Sequence, residues 1–209
     1  MHKRNILQGG VPIEEATNAL IMVHGRGGDA RGIMDLAQYL NLDGFALLAP
    51  QATNSTWYPF SFLQAQQDNE PWLGSAVETI RSLITEVEEK GIAAEKIYLL
   101  GFSQGACLTL ESAARNAKKF GGIVAFTGGL IGETIHKENY SGNFNETLVF
   151  IGTGDPDPHV PAKRVKDSTK LLEEMGARVT EKIYPGIGHT ITKEEIAWVN
   201  KHMLRAKAL

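Results

Sequence analysis

The stretch KIYLLGFSQGACLTLESAARNA, residues 96–117, decides how the chain is read. It opens on KIYLLGF, an apolar run of the kind that forms a strand buried on both faces of a sheet. It closes on QGACLTLESAARNA, a helical stretch rich in small residues. Between them Gly101, Phe102, Ser103, Gln104 and Gly105 fit G-x-S-x-G. Between a strand and a helix, that pattern puts a serine on a sharp, strained turn with its hydroxyl exposed at the end of the sheet. The flanking glycines have a steric reason, since side chains there would clash with the adjoining strand and helix. Ala106 and Cys107 keep the start of the helix slim.

Outward from this stretch, strand-like runs alternate with helical ones. The strand candidates are 19–24, 45–50, 96–102, 122–126, 147–153 and 178–184. In 74–90, Val77, Ile80, Leu83, Ile84 and Val87 form one stripe, and Gly91 stands where a C-terminal cap belongs. In 161–175, Val165, Ser168, Leu172 and Met175 share a face; Pro161 suits the first helical position and Gly176 the stop. The last helix opens with Thr192 and Glu195 at capping-box spacing and carries Ile196, Val199 and Met203 as its stripe. Trp198 falls off that stripe and is a candidate dimer contact. Such alternation predicts one α/β domain over residues 1–209. Its sheet is open, mostly parallel and doubly wound, with helices on both faces. RNILQGG, residues 4–10, would add an antiparallel edge strand.

Composition narrows the function classes. The formal charge is −3, and no basic stripe with interleaved aromatics marks a nucleic-acid partner. Apolar runs are strand-sized, so no stable membrane insertion is expected. The N-terminus lacks the apolar segment of a secretory signal, which leaves cytoplasm as the default. Cys107 is the only cysteine, excluding an internal disulfide and arguing against a cysteine-based zinc site. No cofactor or metal is implied.

In open α/β sheets, ligands bind beyond the carboxyl ends of the strands. One loop there has a rival reading. Gly25, Gly27 and Ala30 match the dinucleotide pattern G-x-G-x-x-G/A. The ribose-binding acid expected at the end of the next strand is missing, because that strand ends in Ala49, Pro50 and Gln51. The hydrolytic reading demands an acid and then a base, in that chain order, at later strand ends. TLVFIGTGDPDPHVP supplies Asp155 and Asp157 after one strand. IYPGIGHTI supplies His189 after the next. His159 shares the aspartate turn, and one turn should supply one member. Loop aspartates commonly bond their own backbone, a role given to Asp155. His2, His136 and His202 have no catalytic context and read as surface residues.

These residues resemble the small serine hydrolases of the α/β-hydrolase fold, in the phospholipase/carboxylesterase family of acyl-protein thioesterases and lysophospholipases. They are also similar to dienelactone hydrolases, which use cysteine at the elbow. The matching pieces are LIMVHGRGG, LLAPQA with WYPF, LLGFSQGACL, GTGDPDPHVP and YPGIGHTI, spanning residues 20–191. The resemblance implies that the acid precedes P-x-V-P, which selects Asp157. It implies an oxyanion hole from the backbone N–H groups of Arg26 and Gln104. The Gln104 side chain is then expected to matter little. That of Arg26 could contact an acidic substrate; the plainer reading, which we favour, is a solvent-exposed charge near Asp29. Thr153 stands where relatives often have histidine, and loop 51–70 departs from the thioesterases.

The implied chemistry is acyl transfer to water through Ser103, His189 and Asp157. Only about twenty residues separate strands 122–126 and 147–153, too few for a large cap. An open groove follows, suited to short- and medium-chain esters as small-molecule substrates. Trp57, Tyr58 and Phe60, with Phe62 and Trp72, either line that groove or close a minor core. Acyl-protein thioesterase and lysophospholipase are alternative activities. A catalytically silent binding protein on the same fold is the alternative of another class.

Overall fold

The apolar runs fold as one seven-stranded sheet in the computed structural model, which describes residues 1–204. The strands are β1 (Ile6–Gly10), β2 (Asn18–Val23), β3 (Phe45–Pro50), β4 (Ile97–Phe102), β5 (Gly122–Phe126), β6 (Leu148–Asp155) and β7 (Arg178–Pro185). Their order across the sheet is β1-β3-β2-β4-β5-β6-β7. β1 pairs antiparallel with β3, Ile6 opposite Pro50, so the edge strand is present. The other pairings are parallel. β6 and β7 outrun their expected ends because Gly154 pairs with Tyr184 and Asp155 with Pro185.

The helices are α1 (Ala30–Met34), α2 (Trp72–Glu89), α3 (Gln104–Arg115), α4 (Ala162–Glu174) and α5 (Lys193–His202). Successive strand residues point to opposite faces. Leu99 and Ile151 join the core beneath α2, α3 and α4, with Ile80, Leu110 and Val165. Leu100 and Phe150 join the core beneath α1 and α5, with Ile33 and Val199. Burial on both faces is why the strands read as continuous apolar runs rather than alternating ones. Residues 127–146 contain only a short 3-10 turn, Lys137–Asn139, so no large cap covers the site. Among the described residues, no helix is long and apolar enough to cross a membrane.

Helix ends follow local chemistry. The capping box of α5 is formed, with the Thr192 hydroxyl accepting from Glu195 N and the Glu195 carboxylate from Thr192 N. Pro161 is the N-cap of α4 rather than its first residue; its ψ of 135° is extended. Trp198 is half-buried. Its ring stacks on Phe150 at 5.0 Å and on His202 at 4.5 Å, closing the edge of the second core. His202 is therefore half-buried, against the surface reading. His2 departs further: it packs on Trp57 and Trp72, each at 5.2 Å.

The crossing of α3 over the sheet depends on two glycines. A Cβ on Gly101 would overlap the carbonyl oxygen of Gly105. A Cβ on Gly105 would overlap the carbonyl oxygen of Val23 in β2. Backbone cannot swing aside as a flexible side chain can. Gly105→Ala should therefore cost about 3 kcal/mol through overpacking. That lowers the melting temperature by roughly 6–12 °C for a chain of this size. Thermal unfolding by circular dichroism checks it; an unchanged midpoint would mean that the helix can lift off the sheet freely.

Candidate active site

Ser103 sits between β4 and α3 with φ 55° and ψ −121°, a region that side-chain-bearing residues rarely occupy. The surroundings hold it there. Its N–H donates to Phe126 O at 3.0 Å, and its carbonyl accepts from Cys107 N at 3.0 Å. The bend lifts the hydroxyl away from the helix and toward the loop after β7. There the Oγ lies 2.7 Å from His189 Nε2. His189 Nδ1 lies 2.8 Å from Asp157 Oδ2. The three residues, separated by up to 86 positions, meet beyond the carboxyl ends of β4, β6 and β7.

Asp157 settles the histidine tautomer. Its side chain has no exposed surface. Oδ1 accepts from the amides of His159 at 2.7 Å and Val160 at 2.9 Å, leaving Oδ2 for His189. Burial would raise its pKa. The Val160 and His159 amides and the His189 ring outweigh that and hold it below the ordinary carboxylate value. An ionised Asp157 only accepts, so Nδ1 carries the proton and Nε2 is bare toward the serine. Asp157 thus also makes the turn that sequence reasoning gave to Asp155. Asp155 is exposed and ends β6, its carbonyl accepting from Gly186 N at 2.7 Å. His159 is exposed and packs edge-on against His189 at 4.9 Å.

The loop Gly25–Asp29, after β2, faces the elbow. Gln104 opens α3, so its N–H has no carbonyl a turn earlier in the helix to bond. Arg26 stands across from it in that loop. Its side chain is not a loose charge near Asp29. The guanidinium donates to the carbonyls of Tyr58, Pro59 and Phe60 at 2.9, 2.8 and 2.6 Å. Asp29 instead caps α1, its Oδ1 accepting from Gly32 N at 2.7 Å. That carboxylate fills the position where a dinucleotide pyrophosphate would have to sit, which counts against the nucleotide reading.

Two side chains that sequence reasoning passed over fix this loop. His24 is buried at the end of β2. Ala52 N donates to its Nε2 at 3.1 Å, so the ring proton is on Nδ1 and donates to Gly25 O at 2.7 Å. Burial pushes its pKa down, favouring this neutral form. The signal available was a histidine at a strand end beside a loop glycine. Gln104 is the second. Its Oε1 accepts from Trp57 N at 2.9 Å and its Nε2 donates to Tyr58 O at 2.8 Å. Gln104→Ala should therefore raise KM severalfold and cost about 2 kcal/mol, although its backbone donor survives. Ester kinetics with thermal melts test this; wild-type KM and stability would return Gln104 to a backbone-only role.

The aromatic loop divides between site and core. Tyr58, Phe60, Phe62 and Leu63 line a cleft of about 580 Å³ that contains Ser103 and His189. Phe60 stands 55% exposed at its rim. Trp57 does not line the cleft. It is fully buried and its indole N–H donates to His24 O at 2.8 Å. Trp72 joins His2 instead, and His2 holds the same loop from outside. Thr53 N donates to His2 Nδ1 at 3.1 Å, and Nε2–H donates to Trp57 O at 2.8 Å. Cys107 borders the cleft, but burial pushes its thiol up to about 12. It is protonated at neutral pH and no rival to Ser103. Among the described residues, no group of three His, Cys, Asp or Glu is disposed to hold a metal ion.

Known proteins resemble this arrangement along nearly the whole chain. The family model described as Phospholipase/Carboxylesterase matches residues 10–206. Acyl-protein thioesterase 1 of Debaryomyces hansenii is 33% identical, covering 87% of this chain and 88% of that protein. The Kluyveromyces lactis protein of the same name is 32% identical, with coverage of 88% and 89%. The crystal structure of a phospholipase/carboxylesterase from Dyadobacter fermentans superposes with a TM-score of 0.97 at 52% identity, covering 98% of each chain. Esterase PE8, at 20% identity and a TM-score of 0.81, shares the fold.

Proposed function

The chain belongs to the phospholipase/carboxylesterase family of carboxylic ester hydrolases, and from that premise we propose that it is a serine carboxylesterase acting on short- to medium-chain esters. The observation that carries this is the relay of 2.7 Å from Ser103 Oγ to His189 Nε2 and 2.8 Å from His189 Nδ1 to Asp157. A serine hydroxyl is a weak nucleophile until a base removes its proton. His189 takes that proton as Ser103 attacks the ester carbonyl. Asp157 holds the ring and balances the charge it gains. The N–H groups of Arg26 and Gln104 bind the oxyanion; each such donor is worth about 3–4 kcal/mol of barrier. His189 then protonates the leaving alcohol, and water repeats the sequence on the acyl-enzyme.

The uncapped cleft favours modest acyl chains over a buried triglyceride. A second reading, acyl-protein thioesterase, is favoured by the relatives of that name, which match most of the chain. Matched oxyesters and thioesters with acyl chains from acetyl to palmitoyl separate the two. The carboxylesterase reading expects kcat/KM to peak at butyryl to octanoyl oxyesters. A peak at palmitoyl thioesters would favour the second reading, and no hydrolysis of either series would sink both.

A further inference from the structure

A second groove, of about 460 Å³, opens beside the catalytic cleft. Ile33, Leu36, Tyr39, Phe102 and Ile191 form its apolar walls. It shares Gly25, Arg26 and Phe102 with the larger cleft, so the two meet over the Phe102 ring. Their rims match: Tyr39, 60% exposed, borders the groove, and Phe60, 55% exposed, borders the cleft. Together with Met1 these are the large apolar side chains left exposed among the described residues. Exposed aromatics beside a reactive centre fit a ligand surface better than a fold requirement.

We propose that this groove receives the apolar alcohol arm of a neutral ester, while the larger cleft holds the acyl arm. The proposal rests on Ser103 being the nucleophile. In the first half-reaction the Ser103 Oγ–acyl bond forms and the ester C–O bond breaks. The departing oxygen takes the proton that His189 Nε2 removed from Ser103. The acyl group therefore stays bonded at Ser103, which borders the larger cleft with Gln104 and Cys107; neither Ser103 nor Gln104 borders the groove. The alcohol must lie against the imidazole. Phe102 packs on that imidazole at 5.3 Å, and Ile191 follows His189 by two positions. His189 itself borders the larger cleft, so the groove reaches the leaving oxygen across the shared Phe102 ring.

Charge narrows the alcohol further. The groove carries the carboxylates of Asp29 and Asp35, and its one cation, Arg26, is engaged by three loop carbonyls. A phosphate on the alcohol would meet two carboxylates against one cation, whose guanidinium is already engaged. Neutral alkyl or aryl alcohols fit, and phosphorylated glycerol headgroups do not.

Butyrate esters of methanol, butanol, hexanol and a phosphate-terminated hexanol provide the test. For the wild-type chain, kcat/KM should rise about tenfold from methyl to hexyl, since each partly buried methylene contributes. The terminal phosphate should remove that gain. Gly32→Phe should flatten the series by filling the groove, because a Cβ at Gly32 meets only Asp29 Oδ1, at 3.5 Å. Tyr39→Ala, at an exposed side chain, removes a wall and should cut the hexyl-to-methyl ratio by about threefold. Methyl esters of lengthening acids form the control, whose chain-length dependence both variants should retain. A wild-type series without alcohol-length dependence would overturn the groove alone. So would a rise that survives both variants, a variant that flattens the acyl series instead, or a phosphate arm that improves turnover. Failure of the wild type to cleave any of these esters would remove the Ser103 reading and the groove with it.

Discussion

Ser103→Ala is expected to lower kcat for ester hydrolysis by about a millionfold while the protein stays folded. The size follows from what the hydroxyl does. In the proposed mechanism it supplies the atom that becomes bonded to the acyl group, and among the described residues no other hydroxyl or thiol in the cleft is hydrogen-bonded to His189. Cys107 also borders the cleft, and burial keeps its thiol protonated. Stability should change little for equally specific reasons. The backbone bonds of residue 103, to Phe126 O and from Cys107 N, do not involve the side chain. The unusual φ of 55° is imposed by the turn and is shared by alanine. What is lost is one hydrogen bond to His189, about 1 kcal/mol, or roughly 3 °C in melting temperature. Stopped assays on purified protein, with a melt alongside, check both halves. Activity within tenfold of wild type would remove Ser103 from the mechanism.

Asp157→Asn should be the next most damaging change, at about ten-thousandfold in kcat. The geometry explains why an isosteric swap is so costly. The amides of His159 and Val160 both donate to Oδ1, so the asparagine oxygen must take that place. Its NH2 group then faces His189 Nδ1. Two donors cannot meet, so the ring proton moves to Nε2. An Nε2 that carries a proton cannot accept one from Ser103. The stability effect has a defined direction too. Asp157 is held low in the fold, so it favours folding once the unfolded carboxylate is ionised, above about pH 4. That contribution fades as pH falls toward the depressed value, and Asp157→Asn should lose this part of the acid sensitivity. NMR of the His189 ring nitrogens would report the tautomer directly; a variant still protonated at Nδ1 with full activity would contradict this account.

The features legible in sequence are those written in short windows. Continuous apolar runs marked six strands to within a residue or two. Thr192 and Glu195 marked the start of α5, and Gly101 and Gly105 marked the elbow. Ser103 and His189 stood out as candidates because the chemistry prescribes both their order and their strand-end positions; Asp157 was chosen over Asp155 on the P-x-V-P resemblance. The features missed depend on contacts between distant segments. Gln104 reaches 47 residues back in sequence to hold Trp57 N, and nothing local distinguishes that amide from a surface glutamine. Trp57 itself could have faced cleft or core. Its burial is decided by the His24 carbonyl and by His2, which closes over it from the N-terminus. Arg26 read as a solvent-exposed charge near Asp29; the carbonyls of 58–60 hold its guanidinium instead, and Asp29 caps α1.

The central claim is that Ser103 is an activated nucleophile. A fluorophosphonate reacts with such a serine and spares ordinary hydroxyls. Intact-mass spectrometry after exposure, with peptide mapping, reads the outcome directly. One adduct per chain on Ser103, absent in Ser103→Ala and strongly slowed in Asp157→Asn, is the predicted result. An unlabelled wild-type chain, or a label on any other residue, would contradict it.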